Sequence, residues 1–282
     1  MQNKIMLGKP VADAYREIIK KKIAAAAVQG TKVKLAILTV GTDPASIIYR
    51  NSLAKTTESL GAEVVLENLP AEATEQEVLA VIAKLNHAQD ITGILPMMPL
   101  PKQLNADTIC AALAKDKDVD CLQPDNCADL YLGTSKWGPC TPRACLAILD
   151  HYGVDVAGKH VAIIGRSNVV GKPVALLLLQ RNATITICHS KTQNLVGILQ
   201  SADIIVAAVG RANFVKAEMV REGVILVDVG INRVQGKITG DIDPQAYTKA
   251  AAYTPVPGGV GTVCNLMVME TLTKKLPGEK GV

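Results

Sequence analysis

The sequence predicts a two-domain α/β protein. Its 282 residues are long enough for two cores, and 49% of them are hydrophobic while only 3% are aromatic, so Ala, Val, Ile and Leu must fill those cores. Strand-like and helix-like runs alternate along nearly the whole chain, the order that layers helices over a sheet. Content changes near residue 140, where one such series gives way to another without a low-complexity linker.

The first series opens with a helical pattern at residues 10–29, followed by a strand at 33–39, a helix at about 45–60 and a strand at 62–68. A helix at 74–86, a strand at 91–95 and a helix near 105–114 complete it. The second series places strands near 160–164, 184–188, 204–208 and 225–229, with a helix over 173–180 and a closing helix over 262–276. The two series share an architecture, not a detectable sequence duplication.

The junction after the strand ending at Ile164 carries the most chemistry. Val161 to Ile164 read as a buried parallel strand, Gly165 permits a tight turn, and the next helix follows Gly171-Lys172-Pro173. Gly165 and Gly171 are six apart, unlike the compact three-glycine dinucleotide fingerprint, so an ordinary strand-to-helix turn is the plain alternative. Arg166 favours a phosphate ligand, because a guanidinium beside a helix opening pairs with phosphate oxygens in two-pronged fashion. Beyond the strand at 184–188 come His189, Ser190 and Lys191, with no carboxylate to hold a ribose diol and repel a 2′-phosphate. NADP is therefore preferred, with NAD possible. His189 is either a ligand contact or a loop residue bonded to its neighbours.

Composition argues against several functions. The formal charge is +4 and its basic residues are dispersed, without the stripe or aromatic interleaving of a nucleic-acid binder. The apolar run Val174 to Leu179 is too short to cross a membrane. Seven cysteines (Cys110, Cys121, Cys127, Cys140, Cys145, Cys188 and Cys264) show no metal-ligand spacing, so no metal is expected and most read as small apolar packing. Their odd number, with no targeting segment evident, favours a reducing cytoplasm.

Several further segments converge. Val40-Gly41-Thr42-Asp43-Pro44-Ala45-Ser46 with Tyr49, then Pro99-Leu100-Pro101, Lys117-Asp118-Val119-Asp120 and Pro139-Cys140-Thr141-Pro142 lie in the first part. Gly165-Arg166-Ser167, Gly171-Lys172-Pro173, Cys188-His189-Ser190, Asp228-Val229-Gly230 and Thr254 to Gly261 lie in the second. In order and spacing the chain closely resembles the bifunctional methylenetetrahydrofolate dehydrogenase/methenyltetrahydrofolate cyclohydrolase family, FolD-like proteins, over nearly its full length.

That resemblance implies a folate-binding domain of residues 1–140 with 262–282 and a Rossmann-like NAD(P)-binding domain of residues 141–261, the last helix returning to the first domain. It implies a reduced folate substrate, a cleft between the domains and a homodimer. Tyr49 and Asp120 are the implied catalytic positions, Tyr49 as an aromatic wall for the pterin and Asp120 as acceptor for its amino edge. Pro99, Leu100, Pro257, Gly258 and Gly259 are implied substrate contacts. Thr141, Gly165, Arg166, Ser167, Gly171, His189, Ser190 and Ile231 are implied cofactor contacts. By residue type alone, Tyr49 also suits helix packing, Asp118 and Asp120 also suit exposed loop charges, and Pro257 to Gly259 also suit a loop without ligand.

Departures fall where hydrolysis is served. Family members with cyclohydrolase activity place a lysine four residues after the tyrosine, and this chain has Leu53. Lys55 lies two helical steps on, rotated about 200° away, and Arg50 stays protonated. Met97 replaces a glutamine, removing an amide that would order lysine and substrate. Cys121 replaces a glycine, and Thr262-Val263-Cys264 replaces Pro-Met-Thr. The expected function is an NAD(P)-dependent methylenetetrahydrofolate dehydrogenase with weak or absent cyclohydrolase activity. Full bifunctionality, turnover of another tetrahydropterin and a non-catalytic sensor are the alternatives.

Overall fold

The computed structural model describes residues 4–135 and 137–276. The chain begins with strand β1 (Lys4–Ile5) and helix α1 (Gly8–Val28), then alternates β2 (Lys34–Val40), α2 (Pro44–Ser59), β3 (Glu63–Leu69), α3 (Glu75–His87) and β4 (Gly93–Pro96). Short helices α4 (Ala106–Ala111) and α5 (Pro124–Leu132) precede α6 (Cys140–His151). The second alternation runs β5 (His160–Ile164), α7 (Gly171–Leu179), β6 (Thr184–Cys188), α8 (Leu195–Ser201), β7 (Ile204–Ala207) and β8 (Val224–Asp228). A hairpin of β9 (Asn232–Val234) and β10 (Lys237–Thr239), then β11 (Ala250–Tyr253) and α9 (Gly261–Lys274), complete the described chain.

These elements divide into two compact units. One holds Ala14–Ser135 with the described residues from Asn265 on, and the other holds the described residues through Asp13 with those from Trp137 to Cys264. In the first, a three-stranded sheet of order β3-β2-β4 is parallel throughout, with Leu35 opposite both Val64 and Gly93. Its core packs Ala36, Leu38 and Ile94 of the sheet against Val78, Ile82 and Leu85 of α3, the i, i+4, i+7 stripe of an amphipathic helix. Thr74 and Glu77 form a reciprocal capping box at the start of α3. At its other end Lys117 Nζ donates to the carbonyls of Leu85 (3.0 Å), Asn86 (2.7 Å) and Ala88 (2.7 Å), joining a cation to the negative helix end. Lys117→Met should lower the urea-unfolding free energy by about 2 kcal/mol, the worth of hydrogen bonds to a charged donor; an unchanged midpoint would remove Lys117 from the structural framework.

The second unit contains a six-stranded sheet of order β1-β11-β8-β7-β5-β6, parallel at every pairing. Counting from β5, strands β6-β5-β7-β8-β11 follow the doubly wound order that reverses between the first and third strands, so the crevice opens at the carboxyl ends of β5 and β7. Ala162, Ile164, Ile205, Ala207 and Leu226 form one packed face with Leu199 of α8.

Several elements depart from the periodic reading. Helix α6 was not among the expected elements, and Cys140 and Pro142 to Leu149 in it are all buried. The β9–β10 hairpin turns at Gln235 and Gly236, both at positive φ (49° and 79°), the backbone of a two-residue hairpin loop. Strand β1 is two residues long, too short for any alternation to register. Among the described residues, no helix is long and apolar enough to cross a membrane.

Candidate functional site

In the six-stranded unit, pairing sets the geometry of the phosphate-like turn. Ile164 of β5 sits opposite Cys188 of β6, and Gly165 N donates to Cys188 O at 2.9 Å. Arg166 and Ser190 each follow that pair by two residues, so both emerge at neighbouring strand ends. Gly165 has φ +127°, and a side chain there would strike the Ala208 carbonyl at the adjoining end of β7. A side chain on Gly171 would strike the Gly165 carbonyl, so the two glycines are required by the chain's own close packing.

The hydroxyl of Ser167 accepts from Val170 N (3.1 Å) and Gly171 N (3.3 Å), capping the helix opening from within. Those two amides are therefore already committed. Arg166 is exposed and among the described residues has no ion-pair partner, while Ser190 and Lys191 are exposed beside it. A guanidinium, a hydroxyl and an ammonium without a carboxylate suit a phosphate monoester. His189 is tied into its loop, donating N–H to Thr192 Oγ1 (2.8 Å) and accepting from Lys191 N at Nδ1 (3.1 Å).

A groove of about 230 Å³ brings together Ile231, Pro257, Gly258 and Gly259, all singled out in the sequence, with Asp228 and Ile238. Its rim is backbone-rich: Gly8 N donates to Gly258 O at 2.8 Å, and a side chain on Gly259 would meet the Pro255 carbonyl. Thr141 opens α6 with its Oγ1 3.6 Å from Cys264 Sγ. That contact between Cys264 and Thr141 was not visible from residue type alone.

Two buried carboxylates hold this groove's wall. Asp241 accepts from the amides of Val209 (2.7 Å), Gly210 (2.9 Å) and Arg211 (2.8 Å) and from Asn232 Nδ2 (2.9 Å). Asp228 accepts from the amides of Gly230, Asp241 and Ile242, each at 2.9 Å. Burial nevertheless pushes the Asp228 carboxyl up to about 6. With its folded value above its unfolded one, its stabilising contribution is complete at low pH and is lost as pH rises from about 4 through 6. The stability of the wild type relative to Asp228→Asn should therefore fall by about 3 kcal/mol across that window. Urea titrations at several pH values check this; a difference that grows with pH would refute it.

In the three-stranded unit, the Val40-to-Ser46 motif is a helix start. Gly41 turns at φ 81°, Asp43 accepts from Ser46 N at 2.8 Å as N-cap, and Pro44 occupies the first turn. Ser46 Oγ then donates to Met98 O at 3.0 Å, binding α2 to the segment after β4. Tyr49, half-buried, follows Ser46 on α2, and Pro99 and Leu100 follow Met98, where α2 and that segment leave the ends of neighbouring strands β2 and β4. Leu53, one turn past Tyr49, is fully buried on the face shared by Ser46 and Thr57, and Met97 is buried too.

Asp118 is fully buried, correcting its reading as an exposed loop charge. It accepts from Asp120 N (3.1 Å), Gln123 N (3.0 Å) and Asn126 Nδ2 (2.8 Å), and pairs beside Ile94 in a parallel bridge. Asp118 thus organises the loop and Asp120, half-buried, is the carboxylate it presents. Cys121 follows at φ 54°, a left-handed backbone that favours glycine and costs a side-chain-bearing residue about 1 kcal/mol.

Comparison with known proteins follows the same two units. A family model described as the tetrahydrofolate dehydrogenase/cyclohydrolase catalytic domain matches residues 6–120, and one described as that family's NAD(P)-binding domain matches residues 139–279. Bifunctional protein FolD 2 of Desulfitobacterium hafniense (strain Y51) is 43% identical over 268 residues, 95% of this chain and 94% of that protein. The crystal structure of a bifunctional FolD methylenetetrahydrofolate dehydrogenase/cyclohydrolase from Campylobacter jejuni is 39% identical, with a TM-score of 0.95 over 98% of this chain and 99% of that one. A Trypanosoma brucei methylenetetrahydrofolate dehydrogenase-cyclohydrolase, complexed with NADP and an inhibitor, is 29% identical with a TM-score of 0.92, covering 97% of each chain.

Proposed function

The chain belongs to the tetrahydrofolate dehydrogenase/cyclohydrolase family, and from that premise we propose that it carries both reactions, with NADP as preferred hydride acceptor. The observation that supports the redox half best is the exposed Arg166, without an ion-pair partner among the described residues, at a strand end neighbouring that of Ser190, with no carboxylate in His189-Ser190-Lys191. NADP, when bound, supplies the nicotinamide carbon that receives hydride from the folate methylene bridge. Thr141, in contact with Cys264, and Ile231 would hold the nicotinamide end of the cofactor, and Pro257 to Gly259 would bring backbone close to the substrate. Asp120 anchors the pterin edge, and Tyr49, Pro99 and Leu100 align its flat body.

The expectation of weak or absent hydrolysis is corrected by the relatives: proteins 40–44% identical over nearly the full chain are described as bifunctional. A buried Leu53 and Met97 remove one route for a proton, so another group must deliver water to the methenyl carbon. Tyr49 is the residue assigned that task. We further infer a homodimer, which light scattering of the purified protein checks.

Nicotinamide absorbance and methenyl-folate decay, followed separately and corrected for spontaneous hydrolysis, test both halves. Both rates should depend on the protein; a missing hydrolytic rate would overturn the second half, and no hydride transfer with NADP or NAD would overturn the first. Arg166→Ala should weaken NADP about tenfold and NAD within about twofold, since only NADP loses a charge-assisted pair. Equal losses for the two would sink the phosphate assignment.

A further inference from the structure

Cys121 and Cys127 flank the loop that Asp118 organises, and the Cys127 sulfur rests against the Cys121 backbone. Cys121 is buried; Cys127, on α5, is exposed, and its Sγ lies 3.1 Å from the Cys121 carbonyl oxygen. Each thiol acts on the other, raising Cys121 above its ordinary value and lowering Cys127. The intervening backbone is held by the Gln123 and Asn126 bonds to Asp118, so little chain freedom is lost on bridging. The neighbouring thiol differs: burial, with the Asp118 and Asp107 charges, pushes Cys110 up to about 11.

We propose that Cys121 and Cys127 form a reversible disulfide by exchange with a small-molecule disulfide such as oxidised glutathione. The exposed Cys127 thiolate attacks one glutathione sulfur, the S–S bond breaks, and one glutathione thiolate leaves. Cys121 then attacks the Cys127 sulfur, its proton passing to the second glutathione sulfur, which leaves as the thiol. Two protein thiols are oxidised and one disulfide is reduced to two thiols. Because Asp120 immediately precedes Cys121, the bridge also displaces the carboxylate assigned to the pterin edge, a consequence that rests on the proposed function.

The full chain is incubated with oxidised glutathione, quenched with acid, alkylated and mapped by peptide mass spectrometry. The expected product is a Cys121–Cys127 link that reduced glutathione reverses. Cys121→Gly, which suits the left-handed backbone, should stop at a mixed disulfide on Cys127, and Cys127→Ser should yield no link. A wild-type chain that stops at the mixed disulfide, stays unmodified, or joins Cys110 to Cys127 overturns the proposal. The linked protein should show a KM for reduced folate raised about tenfold, one lost hydrogen bond to a charged group, with the KM for NADP unchanged. A link without that rise upholds the disulfide and counts against the Asp120 assignment.

Discussion

Tyr49→Phe is expected to slow methenyl-folate hydrolysis about a hundredfold while hydride transfer stays within about threefold, because only hydrolysis needs a hydroxyl to orient water and pass on its proton. Tyr49 is half-buried on α2, and the residue one turn on, Leu53, is buried and apolar, as is Met97. The phenyl ring retains the flat surface that aligns the pterin, so binding and hydride geometry survive the change. Equal losses in both assays would assign Tyr49 to alignment alone. Undiminished hydrolysis would place proton handling elsewhere.

Asp120→Ala should lower kcat/KM for reduced folate about a hundredfold in both reactions, the loss of ~3 kcal/mol from charge-assisted hydrogen bonds to the pterin's amino edge. Its own amide remains bonded to Asp118 Oδ1, so the loop backbone should keep its course. Asp120→Asn should recover part of the loss, since a carbonyl oxygen still accepts. NADP affinity should not move. A parallel fall in NADP affinity, or no fall in folate turnover, would contradict the assignment.

Elements that signal by contrast were legible in the sequence. The strands expected at 160–164 and 184–188 coincide with β5 and β6, because short apolar runs there are bounded by turn residues and a glycine. Helix α3 announced itself through an apolar stripe and a Thr74 cap. Helix α6 was not among the expected elements, and the hairpin at Gln235-Gly236 lacked the apolar alternation that would flag its strands. At the site, Arg166 and Ser190 were visible as residue types at strand ends. The work of Asp118 was not, because a carboxylate reads alike whether it faces water or accepts three internal hydrogen bonds. Position 53 was legible and its consequence was not: a leucine tells which group is missing, and chemistry carried by a neighbour can replace it.

Pairing of β1 with β11 places Lys4 opposite Ala252 and Ile5 opposite Tyr253, so the first strand made waits for one of the last. The three-stranded unit is likewise completed only by residues from Asn265 on. Neither unit is whole until β11 and the residues from Asn265 on have emerged from a ribosome, and vectorial synthesis cannot finish one before starting the other. Closing loops of that length costs entropy that grows only slowly with separation, so the burden falls on folding rate more than on final stability. Until then the nascent chain carries an unpaired β1, an open edge on β8 and an unfinished first core, and holding such a segment soluble is work for chaperones.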